Sequence, residues 1–215
     1  MASFLFWNLN KRPLEHRVAR LIVANSVDVL MVAECATDAS QMIGAIVEGG
    51  GKEFRLLGTS PTKVKVFSSL SETSIVEKYS DPDGRIAMFQ LELAGLPNLL
   101  LAAAHLHSRV NQSSSDLAQH ATHWSRKIRE NEDEVGHRRT VLVGDLNMNP
   151  FDDGVVSGHG LHAVMTRSKA LEIERTIDGE SRPFFYNPMW GYFGDKSPGP
   201  PGTYYYSATN PINYF

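Results

Sequence analysis

Cysteine occurs once in the 215 residues, as Cys35, so no disulfide can form within the chain. A lone cysteine at the end of an apolar run reads as a small packing residue rather than a catalytic thiol. No apolar run approaches the roughly 20 residues needed to span a membrane as a helix. Ser3-Phe4-Leu5-Phe6-Trp7 is too short for a signal sequence and has no basic flank before it. These absences predict a cytoplasmic protein without a membrane anchor. Excess charge is also missing: 21 Lys and Arg against 24 Asp and Glu leave a formal charge of -3. That removes a global electrostatic footprint for nucleic acid, although a basic rim around an acidic site would still steer phosphates. There is no internal repeat, low-complexity tract or linker, and 42% hydrophobic residues are ample for one core. A single domain over residues 1–215 is expected.

The elements alternate in type and then stop alternating. Phe4 to Leu9 reads as a strand, and Pro13 with Leu14, Val18, Leu21 and Ile22 as a helix. Val27 to Ala33 is a second apolar strand, and Ala39 to Val47 a helix ending at Gly49-Gly50-Gly51. Strands are expected at Phe54–Leu57, Val64–Phe67, Ser74–Lys78, Ile86–Leu93 and Asn98–His105. A polar helix capped by Ser114 or Ser115 runs to about Glu130, Thr140–Gly144 is a strand, Ala163–Leu171 a short helix and Thr203–Tyr206 a late strand. Helices interleave with the early strands only, which predicts an α+β sandwich rather than a doubly wound parallel sheet.

Chemistry concentrates where apolar strands end. Thr140-Val141-Leu142-Val143 runs into Gly144-Asp145-Leu146-Asn147, and an Asp and an Asn two apart on an extended strand share a face. The first strand delivers Asn8, the second Glu34, and a later one His105 and His107. Each alone has an ordinary structural reading: a turn cap, a solvated strand end, a satisfied histidine. Brought together at one sheet edge they form a pocket of carboxylates, carboxamides and imidazole. Oxygen-dominated ligands favour Mg²⁺ or Mn²⁺ over Zn²⁺. Arg85, after Asp83-Gly84, reads equally as a phosphate contact or as a surface arginine paired with an Asp. His120, His123, His137, His159 and His162 read as surface residues, and the aromatics of Tyr186–Trp190 as packing residues.

Trp7-Asn8, Val32-Ala33-Glu34, Ala104-His105-Leu106 and Gly144-Asp145-Leu146-Asn147 occur in an order that resembles the endonuclease/exonuclease/phosphatase superfamily. The resemblance covers nearly the whole chain. It implies a four-layer αββα sandwich with two packed mixed β-sheets. It implies Glu34 as a metal ligand with Asn8 in or beside the metal shell, and Asp145 as the residue that orients or deprotonates the attacking water. Asn147 would hold phosphate or that water, and His105 would donate to a non-bridging phosphate oxygen. Arg85 and His107 would contact substrate. The superfamily pattern closes with a late Asp and a Ser-Asp-His, which this sequence does not contain before Phe215. The expectation is a chain truncated at its C-terminus, lacking its last strands and impaired in hydrolysis, with exposed sheet edges open to pairing between chains. The substrate class implied first is a nucleic-acid phosphodiester. Inositol phosphates or sphingomyelin form an alternative, and a non-catalytic binding module that keeps the fold forms another.

Overall fold

The computed structural model describes residues 2–58, 63–109 and 112–192, with the backbone of 204–205 and 213–214. It divides into two compact units, one of residues 1–106 with 131–145, the other of 107–130 with 146–215.

The first unit begins as a parallel crossover: strand β1 (Phe4–Asn8), helix α1 (Glu15–Ala24) and strand β2 (Val29–Ala33). β1 and β2 pair in parallel, with Phe4 opposite Val29 and Asn8 opposite Ala33. β2 is buried at every position, as expected of a central strand covered on both faces. Helix α2 (Ala39–Glu48) starts at Asp38, whose carboxylate accepts the Gln41 amide, and β3 (Arg55–Leu57) and β4 (Val64–Ser68) complete the sheet in the order β1-β2-β4-β3. Alternate residues of β2 serve different cores. Leu30 and Val32, with Phe67, pack under Val18 and Ile22 of α1 and Met42 and Ile46 of α2. Val29 and Met31, with Val64 and Val66, face the second sheet.

That second sheet is β5 (Ile75–Ser80), β6 (Ile86–Leu91), β7 (Leu99–His105) and β8 (Thr140–Asp145), in the order β5-β6-β7-β8. Its first pairings are antiparallel, whereas β7 and β8 run parallel and set His105 opposite Asp145. Phe89, Leu91, Leu101 and Ala103 fill the space between the sheets. Burying one such side chain contributes on the order of 2–3 kcal/mol. Two packed mixed sheets with helices make this the expected α+β class. No described helix is long and apolar enough to cross a membrane.

Helix α3 (Ser114–Val135) is shared by the two units. It is capped one residue earlier than expected: the Ser113 hydroxyl accepts the Asp116 amide while the Asp116 carboxylate accepts the Ser113 amide. The second unit continues with α4 (Asp153–Val156), β9 (Ala163–Val164), α5 (Arg167–Ala170), β10 (Glu174–Ile177), β11 (Glu180–Pro183) and β12 (Phe185–Tyr186). A 3-10 turn (Pro188–Tyr192) and the paired strands β13 (Tyr204–Tyr205) and β14 (Asn213–Tyr214) follow. Of the late strand expected at Thr203–Tyr206, Thr203 and Tyr206 lie outside the described residues.

The helix expected over Ala163–Leu171 is instead a strand followed by a single turn. Ala163 and Val164 pair with Phe185 and Tyr186, and the Thr166 hydroxyl then caps α5 by accepting the Lys169 amide. His162 is also not a surface residue. It is 3% exposed, its Nδ1 lies 3.0 Å from the Pro183 carbonyl, and its ring lies against Phe184.

Burial pushes the His162 imidazole below its ordinary value, as it does that of His137 in the first unit. The unfolded chain therefore takes up the proton first as pH falls. Stability is complete above the ordinary histidine value of about 6.5 and is lost progressively below it, down to the depressed folded value. We expect a falling melting temperature on acidification through this window and a shallower fall in His162→Asn, which tolerates the left-handed backbone there (φ 54°) without titrating. An unchanged slope would remove His162 as a source of acid sensitivity.

Candidate active site

The ends of β1, β2, β7 and β8 bring four of the expected residues together within the first unit. The Asn8 carboxamide is the link. Its Nδ2 donates to Asp145 Oδ2 at 2.8 Å and lies 3.3 Å from Glu34 Oε1, while its Oδ1 accepts the Asn10 amide at 2.9 Å. One amide nitrogen thus touches a carboxylate from each sheet. His105 Nε2 stands 3.7 Å from Glu34 Oε1, too far for a hydrogen bond. The His105 Nδ1 is buried, and neither ring nitrogen makes a hydrogen bond among the described residues.

Backbone geometry at the two strand ends is unusual for residues other than glycine. Asn10, Lys11 and Glu34 are all left-handed, with φ of 48°, 57° and 47°. Each such residue costs roughly 1–2 kcal/mol. The Lys11 amide donates to the Glu34 carbonyl at 2.8 Å and the Leu9 amide to the Ala33 carbonyl at 2.9 Å, so the strained ends are tied to each other. Strain of this kind persists only where the surrounding structure holds it, and Glu34 is one of the residues held.

Arg85 lies beside this group. Its amide donates to Asp81 Oδ2 at 3.0 Å and its Nη1 to the His105 carbonyl at 3.4 Å. The guanidinium forms no ion pair among the described residues, and its Nε is buried without a partner. Burial lowers the Arg85 affinity for its proton, opposed by the charges of Asp83 and Asp81. The Arg85 Nε and the His105 Nδ1 are thus buried nitrogens that no described group satisfies.

Asn147 and His107 belong to the second unit. β8 ends at Asp145 and Asn147 sits in a bend with φ 53°, so the strand alternation that would align it with Asp145 does not extend that far. β7 likewise ends at His105, and His107 stacks on His120 with ring centroids 3.8 Å apart and planes 10° from parallel. Cys35 packs at the end of β2 as expected, its Sγ donating to the Thr37 carbonyl at 3.3 Å, and burial pushes its thiol up. Sequence reading missed Asp81, 6% exposed, whose neighbours Pro82-Asp83-Gly84 carried the turn signal that places it.

The family model described as the Endonuclease/Exonuclease/phosphatase family matches residues 5–212. The chain belongs to this family. Members of the endonuclease/exonuclease/phosphatase family are hydrolases of phosphoester bonds and generally depend on a divalent metal. Two of the solved structures that resemble this chain repeat the family fold at low identity. A family protein from Leptotrichia buccalis C-1013-b is 12% identical with a TM-score of 0.52, the match covering 85% of this chain and 86% of that one. Truncated TDP2 from Caenorhabditis elegans is 15% identical with a TM-score of 0.50, over 85% of this chain and 81% of that one. The endonuclease domain of TRAS1, a telomere-specific non-LTR retrotransposon, is 13% identical with a TM-score of 0.46, over 69% of this chain. The chain spans 61% of the length of that domain. No curated protein sequence matches this one. Among the described residues, no group of at least three His, Cys, Asp or Glu is arranged to hold a metal ion.

Proposed function

We propose that this protein is a Mg²⁺- or Mn²⁺-dependent phosphodiesterase whose substrate class is nucleic acid, with residues 1–215 acting as one domain of the family. The observation that carries the reading is the single Asn8 amide touching Glu34 and Asp145 beside an uncommitted His105. The two carboxylates are hard oxygen donors, which suit a hard divalent cation. Glu34 would hold it, with Asn8 in or beside its shell. When bound, the ion supplies charge stabilisation at the phosphate and the leaving oxygen.

The remaining roles fall to the chain itself. Asp145, fixed by the Asn8 amide, orients the attacking water and accepts its proton. His105 donates to a non-bridging phosphate oxygen as negative charge grows there, through the Nε2 that faces Glu34 without a hydrogen bond. Arg85, whose Nη1 reaches the His105 carbonyl, binds the same anion. The phosphate-holding role of Asn147 and the substrate contact of His107 rest on the sequence motif alone.

The test is hydrolysis by the full-length protein of single- and double-stranded DNA and RNA, with Mg²⁺ or Mn²⁺ and with chelator. Cleavage that appears with metal and disappears with chelator is expected. Hydrolysis confined to inositol phosphates or sphingomyelin vesicles would reassign the substrate class. Absence of metal-dependent hydrolysis of every substrate would leave a binding module.

A further inference from the structure

β4 carries a charge on a face that is otherwise apolar. Val64 and Val66 point toward the second sheet, so Lys65 shares the opposite face with Phe67, which packs under α1 and α2. A partly buried ammonium is costly unless it is hydrogen-bonded. Lys65 has two acceptors, and both belong to one short loop. Its Nζ donates to the Thr37 carbonyl at 2.8 Å and to the Cys35 carbonyl at 3.2 Å.

That loop begins at Glu34. It leaves β2 through the left-handed Glu34 and reaches α2 at Asp38. Cys35 and Thr37 are the residues between that Lys65 grips, and the grip is reinforced from two sides. Thr37 is 8% exposed, and its hydroxyl donates to Glu15 Oε2 of α1 at 3.2 Å. The Cys35 thiol donates to the same Thr37 carbonyl that Lys65 uses, at 3.3 Å. Among the described residues, no hydrogen bond links Lys65, Cys35 or Thr37 to Asn8, Asp145 or His105.

We propose that Lys65 is a positioning residue for Glu34: by pinning the Cys35 and Thr37 carbonyls it keeps the Glu34 backbone left-handed and its carboxylate turned toward Asn8. The inference rests on the reading of Glu34 as a divalent-metal ligand. Residues that orient a metal ligand without touching the metal commonly change affinity by about 10–100-fold.

The experiment compares wild type, Lys65→Met and Lys65→Arg of the full-length protein in two measurements: Mn²⁺ titration followed by electron paramagnetic resonance, and amide hydrogen exchange resolved by peptide. Lys65→Met should bind Mn²⁺ about tenfold more weakly and exchange faster across residues 34–38. Lys65→Arg, whose guanidinium retains several donors, should restore both to near wild type. Should Lys65→Met not fold, Lys65→Gln takes its place with the same expectation. A merely structural lysine would loosen protection broadly and leave the Mn²⁺ dissociation constant of the folded protein unchanged. Equal Mn²⁺ binding in wild type and Lys65→Met overturns the proposal. A wild-type chain that binds no Mn²⁺ overturns the metal reading itself, and exchange across 34–38 then reports separately whether the strap exists.

Discussion

Asp145→Asn is expected to lower phosphodiester hydrolysis by about 10²–10⁴-fold, the usual cost of losing a proton acceptor in the transition state, with little change in stability. The substitution is chosen for what it preserves. Asp145 meets Asn8 through one carboxylate oxygen that accepts the Asn8 amide at 2.8 Å. An asparagine carbonyl can accept the same bond, so the bridge between the sheets survives. What is lost is the negative charge and the site for the proton. Turnover at saturating substrate, read beside the urea midpoint, separates the two effects. An active Asp145→Asn protein would remove Asp145 from the chemistry, and an inactive one with a lowered midpoint would leave a structural role in its place.

Gly144→Ala is expected to be the most disruptive change of a single methyl in the first unit. A Cβ at Gly144 would lie 2.0 Å from the Ala104 carbonyl oxygen, 2.7 Å from its carbon and 2.9 Å from its nitrogen. All three are backbone atoms of the paired strand β7, so no side chain can swing aside. Glycine is present because two backbones approach closely, a need that the parallel pairing of Ala104 with Gly144 makes plain. The next pair in register is His105 with Asp145, so relief of the clash must displace two residues of the site. A loss of about 3 kcal/mol and a fall in turnover should appear together in denaturant unfolding and activity measurements. A protein as stable and active as wild type would show that β7 and β8 do not approach as closely as described.

The strands that carry the site were legible because each is a continuous apolar run. β2 and β7 are buried along most of their length and β8, at the end of its sheet, is half-buried, and none needs much polar punctuation until it ends. Asn8, Glu34, His105 and Asp145 stand out because they break such runs at their last or next residue. Geometry just beyond the strands was not legible. Asn10, Lys11 and Glu34 adopt left-handed backbone that sequence reading assigns to glycine, and Asn147 departs from the extended path for the same reason. Lys65 reads as the polar half of a strand alternation, and only the fold shows that its face of β4 is covered. The short elements after Pro150 failed for want of apolar contrast. The β10–β11 hairpin turns at Asp178-Gly179, with φ of 51° and 79°, a recognised hairpin signal, but its flanks Glu174-Arg175 and Glu180-Ser181-Arg182 carry no apolar alternation to confirm it.

Hydrolysis of an oligonucleotide as a function of Mg²⁺ concentration, for wild type and Glu34→Gln side by side, tests whether Glu34 holds the catalytic cation. A cation held by Glu34 requires no hydrolysis in chelator and a saturable rise with Mg²⁺ for wild type. For Glu34→Gln it requires a curve displaced to higher Mg²⁺ by at least about tenfold. Hydrolysis that persists in chelator, or coincident Mg²⁺ curves for the two proteins, would contradict that role of Glu34.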